Sequence, residues 1–292
     1  MRHRFAALVA ASTAVLIFAG GLVTSTESGL SVPDWPTTFG QNMLLFPWSR
    51  MVGGVFYEHS HRLLGALVGV LTLALAAALW ACGGRVRTLG LVAVAAVVVQ
   101  GVVGGLRVVL QTDALAIVHG PLAQAFFALL VSLALVTSTR MTRPVVAVDG
   151  GTRALTLGAA LLVYLQIMFG AFLTHAGHVE LHLVGAVGVF ALVPVVTARL
   201  RRTGDAVAAP AGRALLVLLG VQPLLGVGAY LARFSPVWIA GGQLSMLVVP
   251  VAHRLAGGLV LATVVVLAVR VLAGARPAPS PAAARGVLGV AR

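Results

Sequence analysis

Eight stretches of about 20 apolar residues recur along the chain, and each is long enough to cross a bilayer as a helix. They lie at roughly 5–23, 57–80, 89–109, 115–136, 153–173, 180–198, 213–232 and 246–272. A soluble domain cannot hide this much apolar surface, since 60% of the 292 residues are hydrophobic and only 9% are charged. The predicted fold class is therefore an all-α polytopic membrane protein.

The first stretch could be a signal peptide or a membrane helix. Arg2 and Arg4 form a basic start, as in secretory signals, but no clear A-x-A cleavage site follows and seven further spans do. We therefore expect a retained first helix. At the other end, the proline- and alanine-rich residues 276–292 are predicted to form a disordered cytoplasmic tail.

The distribution of arginine predicts the orientation. All 20 basic residues are arginine, and most lie in alternate connections, around 85–87, 140–153 and 199–213 and from Arg270 onward. The positive-inside rule places these connections and both termini in the cytoplasm, as in a cell-membrane protein. The net charge of +13 would also fit a polyanion. Because the arginines lie between apolar spans, we interpret them as topology signals and expect no nucleic acid to bind.

The chain resembles itself in its two halves. A Q-x-x-x-G pattern begins at Gln100, Gln166 and Gln222, in the third, fifth and seventh spans. Glycine motifs also recur by chance in membrane helices, where they allow close packing. Together with the histidines described next, the pattern favours two pseudo-repeated four-helix bundles, at residues 1–145 and 146–275.

One histidine lies near the outer end of each even-numbered span: His61, His119, His182 and His253. All four of these helices cross the membrane in the same direction. Each histidine falls within one to two turns of its helix start, which places all four within roughly 10 Å of the outer face. A lone intramembrane histidine is more often a hydrogen-bonded core residue, but four at matched depth favour ligands.

Bis-histidine ligation of haem is the chemistry that this pattern favours. An iron porphyrin needs axial ligands and an apolar slot, and a four-helix bundle supplies both. Zinc fits less well, because no cysteine or clustered carboxylate completes a tetrahedral site. Pairing within each half gives His61 with His119 and His182 with His253.

Charged residues accompany two of these histidines. Arg62 and Arg254 each follow a histidine directly, and they either extend toward the membrane surface or bind a haem propionate bidentately. We favour propionate binding. Glu58 lies three residues before His61, so both project from one helix face. It is either a solvated acid at a helix N-terminus or a group for proton chemistry beside a ligand.

These residues together resemble the heme A synthase family, membrane enzymes that oxidise a methyl group of haem O to a formyl group. The resemblance rests on E-x-x-H-R at Glu58, on "GGLVTSTESGLSVPDWPTTFG" at 20–40, on "QGVVGG" at Gln100 and on the four histidines. Many relatives carry two cysteines in the first outer loop. Val32 and Thr38 occupy those places here, so this loop cannot form a disulfide.

The resemblance implies a role for each site residue. Glu58 would be catalytic, His61 and His119 would bind the haem O substrate, and His182 and His253 would bind a haem b cofactor. It also implies a haem O synthase and an electron donor as partners in cytochrome oxidase assembly, with membrane lipid around the protein. Two alternatives stay open at this point: a two-haem b-type cytochrome that only passes electrons, and a transporter or assembly scaffold.

Overall fold

The computed structural model describes residues 1–236 and 241–274. Its described part contains eight long α-helices: α1 Arg2–Ser25, α2 Gly54–Trp80, α3 Gly84–Val109, α4 Ala114–Val136, α5 Gly150–Ala176, α6 Val179–Arg202, α7 Ala208–Phe234 and α8 Gly242–Ala273. Each helix is long and apolar enough to cross a membrane. The eight predicted spans are confirmed, and the protein is a multi-pass membrane protein. The predicted tail at 276–292 lies outside the described residues.

The ends of α5 show how the sequence sets a short connection. At its start, the Asp149 carboxylate accepts a hydrogen bond from the amide of Thr152 at 2.8 Å, which satisfies one of the free amides of the first turn. At its end, Gly177 adopts the left-handed conformation with φ of 78°, where a side chain would be strained. Helix α6 can therefore begin at Val179.

The helices pack as two four-helix rings. In the first ring, α1 contacts α2, α2 contacts α3, α3 contacts α4, and α4 returns to α1. In the second, α5, α6, α7 and α8 close in the same order. The rings meet where α8 packs against α1 and α4, and where α4 packs against α5. This arrangement agrees with the fold class predicted from the internal similarity.

One apolar core runs through both rings, and it includes the fully buried Leu75, Leu133, Leu215 and Leu267. On the outward faces large side chains remain exposed, as at Leu224, which is 77% exposed. In a bilayer such faces contact lipid. Close packing and dispersion contacts, rather than removal from water, therefore stabilise the assembly of the helices.

The long segment between α1 and α2 is ordered by short local structures. Thr37–Thr38 pairs with Gln41–Asn42 as a small antiparallel ladder. The carboxylate of Asp34 accepts hydrogen bonds from the amides of Phe39 and Gly40 at 2.7 and 2.8 Å. Burial alone would raise the pKa of Asp34, but hydrogen bonds from the Thr37 hydroxyl and these amides hold it below its ordinary value. The turn therefore keeps its carboxylate charged.

At the opposite end of the bundle, a buried ion pair within the second ring holds the segment that connects the two rings. Arg270 on α8 is 1% exposed, and its Nε lies 3.0 Å from both carboxylate oxygens of Asp205. Its Nη2 donates to the carbonyls of Arg143 and Pro144, in the segment that connects the rings. The sequence pattern groups Arg270 with the loop arginines. That grouping is wrong, because Arg270 is buried inside a helix and binds an acid.

Burial alone would raise the pKa of Asp205. The hydrogen bonds from Arg270 and from the amides of Ala208, Val207 and Val146 outweigh this effect and lower the pKa to about 2. The pair is therefore ionised at any physiological pH.

Candidate functional site

The four predicted histidines lie as two pairs, one in each ring. The ring centroids of His61 and His119 are 6.5 Å apart, and the planes are inclined by 84°. Those of His182 and His253 are 6.1 Å apart, inclined by 78°. Each pair joins two even-numbered helices of one ring, which is the pairing expected from the sequence.

His253 lies deeper in its helix than the sequence predicts. Helix α8 begins at Gly242, about three turns before His253 rather than one to two. The ring of His253 nevertheless meets His182, which lies in the first turn of α6. The distance from a helix start is therefore a poor measure of depth here, because α8 extends further outward than α6.

Each histidine ring packs against a glycine on the preceding odd-numbered helix. A Cβ atom added to that glycine would lie 2.9–3.3 Å from Cε1 of the ring, closer than side chains normally approach. The four contacts are Gly20 with His61, Gly104 with His119, Gly170 with His182, and Gly226 with His253. The last three glycines are those of the Q-x-x-x-G repeats, so the motif is explained by the room that each ring needs.

The glutamines of the same motif bind the histidine backbone. The side-chain amides of Gln100, Gln166 and Gln222 donate to the carbonyls of His119, His182 and His253, at 3.2, 2.9 and 3.4 Å. Each Q-x-x-x-G motif thus contacts one histidine twice: its glycine packs against the ring, and its glutamine donates to the backbone carbonyl. We call this pair of contacts the glutamine–glycine module. Chance recurrence of a packing glycine does not explain the paired hydrogen bond.

The imidazoles suit an iron porphyrin better than a bare metal ion. Nδ1 of His61, His119 and His253 is buried and has no hydrogen-bond partner among the described residues. Two imidazoles bound to one metal at about 2 Å from opposite sides have centroids roughly 6 Å apart, close to the separations found here. Within residues 1–236 and 241–274, no three His, Cys, Asp or Glu side chains group as a metal cage, so a macrocycle would have to supply the other ligands.

Glu58 is enclosed at the mouth of the first ring. It is 4% exposed. Its Oε1 accepts from Arg62 at 2.6 Å and its Oε2 from the amide of Val32 at 2.9 Å. The alternative of a solvated acid at a helix end is therefore wrong. Hydrogen bonds satisfy both partners of this buried pair, which offsets part of the cost of taking it out of water.

Arg62 connects that mouth to the outer segment. Besides Glu58, its guanidinium donates to the carbonyls of Val32, Asp34 and Thr37, at 3.0, 2.7 and 3.1 Å. The side chain is 8% exposed. The three hydrogen bonds to these carbonyls hold the segment over the helix that carries His61.

His59 is a contributor that the sequence did not reveal. It lies outside the pattern of four aligned histidines, and it is 1% exposed within α2. Its Nδ1 lies 3.1 Å from the Thr38 hydroxyl, and its ring centroid lies 5.1 Å from that of Phe46. Thr38 and Val32, at the two places where many relatives have cysteines, are each 0% exposed. Packing and hydrogen bonds close the segment here.

Arg254 follows His253 as Arg62 follows His61, but it binds different groups. It donates to the Gly21 carbonyl at 3.2 Å and approaches the Ser25 hydroxyl at 3.4 Å, both on α1 of the other ring. Gly20 and Gly21 are consecutive, and a Cβ on Gly21 would lie 2.9 Å from Val251. This glycine pair therefore touches both sites.

The two sites differ in their acids. Glu58 stands three residues before His61, and buried Pro250 stands three residues before His253. Helix α8 contains no acidic residue. On α6, Glu180 lies near His182, but its side chain is 64% exposed and it pairs with His178. Among the described residues of these two mouths, only the first encloses a carboxylate.

Comparison with known proteins places the chain in a family. A profile of COX15-CtaA, described as cytochrome oxidase assembly protein, matches residues 3–181. Heme A synthases from Halalkalibacterium halodurans, Shouchella clausii and Geobacillus thermodenitrificans are 27%, 28% and 28% identical to the chain over 179, 180 and 181 residues. Each match covers 59% of this chain and 58%, 58% and 55% of the relatives' own lengths.

The profile match contains the first histidine pair and stops just before His182. The second pair is thus linked to the first by the repeated geometry rather than by the profile. Since the profile matches more than half of the residues, the chain belongs to the COX15-CtaA family of cytochrome oxidase assembly proteins.

Proposed function

We propose that this protein is a membrane oxidoreductase that oxidises a methyl group of haem O to the formyl group of haem A for cytochrome oxidase biogenesis. The observation that carries the proposal is the buried Glu58, one turn before His61, where the corresponding residues before His182 and His253 are Val179 and Pro250. Electron transfer alone needs no acid beside the ligands. The family and the names of the relatives support the same function. In this proposal, residues 1–145 form the substrate half and residues 146–275 the cofactor half.

The histidine pairs provide two sites for iron. His61 and His119 would bind the iron of the haem O substrate, and His182 and His253 would hold haem b. A haem b in the second site would supply reversible one-electron chemistry. The chain itself supplies apolar, glycine-lined slots that exclude water and fix the orientation of the imidazoles.

Glu58 would handle the protons of the reaction. Converting a methyl to a formyl group removes four electrons and adds one oxygen atom; with dioxygen as the oxidant and four electrons from the donor the balance is –CH3 + 2 O2 + 4 e⁻ + 4 H⁺ → –CHO + 3 H2O. Two methyl hydrogens must leave in steps, and a carboxylate fixed beside the substrate site can accept and return them. A positioned acid–base group typically contributes about 10²–10⁴-fold in rate.

Arg62 and Arg254 would bind haem propionates in this proposal. Arg62 already donates to Glu58 and to three carbonyls of the outer segment. A propionate would have to replace some of these bonds, so the segment at 26–53 would loosen as haem O enters. Arg254 has weaker partners and could turn to a propionate more readily.

The proposal also includes surroundings and partners. A haem O synthase would deliver the substrate and an electron donor would serve the second site, in a cell membrane with both termini in the cytoplasm. A reporter that is active only in the cytoplasm should be active when fused after Arg292 and silent when fused near Gln41. The opposite pattern would reverse the orientation.

The test of the reaction is Glu58→Gln, which keeps the shape and removes the charge. Haems extracted from cells that depend on each variant are separated and quantified as haem B, haem O and haem A. We expect haem O to accumulate and haem A to fall at least 100-fold, with haem b in the second site unchanged. Glu180→Gln, at an exposed acid near His182, is the matched control and should leave haem A normal. Normal haem A from Glu58→Gln, with haem B in both sites of the purified protein, would favour the electron-passing cytochrome.

A further inference from the structure

We propose that Gln100, Gln166 and Gln222 are positioning residues that anchor three of the four histidines. The missing fourth glutamine, at Leu16, then leaves His61 as the ligand that releases most easily. The inference deepens the proposed function and rests on it, because it explains which half exchanges its haem.

The position of Leu16 follows from the glycine contacts. Each ring packs on a glycine, and the residue four positions before that glycine lies one helical turn away on the same face. At Gly104, Gly170 and Gly226 that residue is a glutamine. At Gly20 it is Leu16, whose aliphatic side chain can neither donate nor accept a hydrogen bond. Three of the four histidines therefore have both the glycine and the glutamine. The fourth, His61, which lies next to Glu58, has the glycine only.

The nitrogen and the oxygen of each glutamine amide differ in their hydrogen-bond partners. Its nitrogen donates to the histidine carbonyl at 2.9–3.4 Å, which pins the two helices together at the level of the ligand. Its Oε1 is buried and without a partner among the described residues in all three cases. A free buried oxygen of this kind costs stability unless something donates to it.

One of the three amides also reaches its imidazole. In the second ring, the Gln166 amide nitrogen lies 2.9 Å from the His182 carbonyl and 3.1 Å from Nδ1 of the same residue, so it holds the backbone and the ring together. A group that contacts a ligating imidazole fixes the orientation of the ring. Nδ1 of His119 and of His253 has no partner among the described residues, so at these two histidines the glutamine anchors the backbone.

At the first site, His61 has no such amide. Its ring resembles that of His119, since Nδ1 of both is buried without a partner among the described residues. The two histidines differ at the backbone, because the Leu16 side chain cannot donate to the His61 carbonyl. His119, on the opposite side, keeps the Gln100 bond. The first site therefore has one anchored and one unanchored ligand, which suits a site that must bind substrate and release product. The second site has two anchored ligands, which suits a resident cofactor.

The experiment measures haem release from the purified full-length chain, loaded with haem b at both sites, to an excess of apomyoglobin. We expect two phases, of which the fast one is absent in His61→Ala. Leu16→Gln should slow the fast phase about 5- to 10-fold, and Gln222→Leu should accelerate the slow phase by a similar factor. Gln243→Leu, at an exposed glutamine near the start of α8, is the control and should change neither rate.

A second readout separates ligand positioning from general packing. Because the Gln166 amide contacts the His182 ring, Gln166→Leu should shift the reduction potential of the haem in the second ring. The unfolding temperature should stay near that of the Gln243→Leu control. An unchanged fast phase in Leu16→Gln, or a fast phase that depends on His182 instead of His61, would overturn the inference. Neither rate depends on methyl oxidation, so this result is independent of the Glu58→Gln test.

Discussion

The two rings repeat one framework and differ at its edges. Each even-numbered helix places a histidine on a glycine of the preceding helix, at nearly the same ring separation in both halves. The first ring adds Glu58, the enclosing segment at 26–53 and Leu16; the second has Val179 and Gln166 at the positions equivalent to Glu58 and Leu16. The shared part would hold iron and the differing part would decide what happens there. Two similar bundles can thus have the same arrangement of histidines, while one of them has a buried glutamate and lacks one of the glutamines.

The largest expected effect separates the two histidine pairs. His182→Ala and His253→Ala should each abolish the low-spin haem b spectrum of the second ring, because one axial ligand cannot maintain the low-spin state. His61→Ala should leave that spectrum intact while haem A production stops. Optical and electron paramagnetic resonance spectra of the purified variants provide the measurement. A full low-spin signal in both second-ring variants would mean that the pairing is wrong.

The next effect concerns the two arginines. Arg62→Ala removes four hydrogen bonds and leaves Glu58 buried without its partner, which costs about 3–5 kcal/mol for a buried pair. We expect a large fall in thermal stability and rapid proteolysis within 26–53. Arg254→Ala loses only a carbonyl and a distant hydroxyl, so its effect should be smaller. Equal effects of the two substitutions would show that the segment does not depend on Arg62.

A smaller effect tests the ion pair between Arg270 and Asp205, beside the segment that connects the rings. The pKa of Asp205 is lowered to about 2, so the pair stabilises the folded state fully above about pH 4, and this contribution is lost as the pH falls toward 2. The shift from an ordinary aspartate corresponds to about 2 kcal/mol. Asp205→Asn should lower the free energy of unfolding by that amount at neutral pH. It should also weaken the dependence of this free energy on pH between about 4 and 2. An acid limb identical to that of the unmodified protein would assign the pH dependence to other groups.

The smallest effect probes the glycine contacts themselves. Gly226→Ala brings a Cβ to 3.1 Å from Cε1 of His253, and Gly104→Ala does the same at His119. Each should cost about 1 kcal/mol, at the low end of overpacking, and shift the spectrum of the haem in its own ring only. Gly220→Ala and Gly101→Ala lie on the same helices in open space and should be silent. A shift in the other ring's spectrum would show that the halves are coupled through these contacts.

Helix number and histidine alignment could be predicted because they depend on local patterns. Apolar length sets the spans, and the alternation of arginines orders the even-numbered helices in one direction. The start of α8 was less predictable, because the residues before it add helical turns without adding a long apolar run. The burial of Arg270 could not be predicted for a related reason. Its partner Asp205 is distant in sequence, and no local pattern shows that the two residues are in contact.

The burial and the hydrogen-bond partners of Glu58 could not be predicted from the sequence either. Spacing places it on the face of His61, but only the fold of the outer segment brings the Val32 amide and the Arg62 guanidinium around it. His59 is the clearest omission. Its neighbours Thr38 and Phe46 come from a segment with little regular structure, so no periodicity indicates that it is buried. The Q-x-x-x-G motif was visible, but its function was not, since the glycine and the glutamine act on a different helix.

The consecutive Gly20 and Gly21 have an evolutionary consequence. One faces the His61 ring, and the other faces Val251 and receives Arg254, so a methyl group at either position strikes one of the two sites. The residues around the two histidine pairs can change separately in each ring, but the Gly20–Gly21 dipeptide contacts both rings. Any lineage that enlarges this dipeptide must remodel a haem pocket in the same step, so we expect it to tolerate fewer substitutions than the acid or the anchors that distinguish the halves.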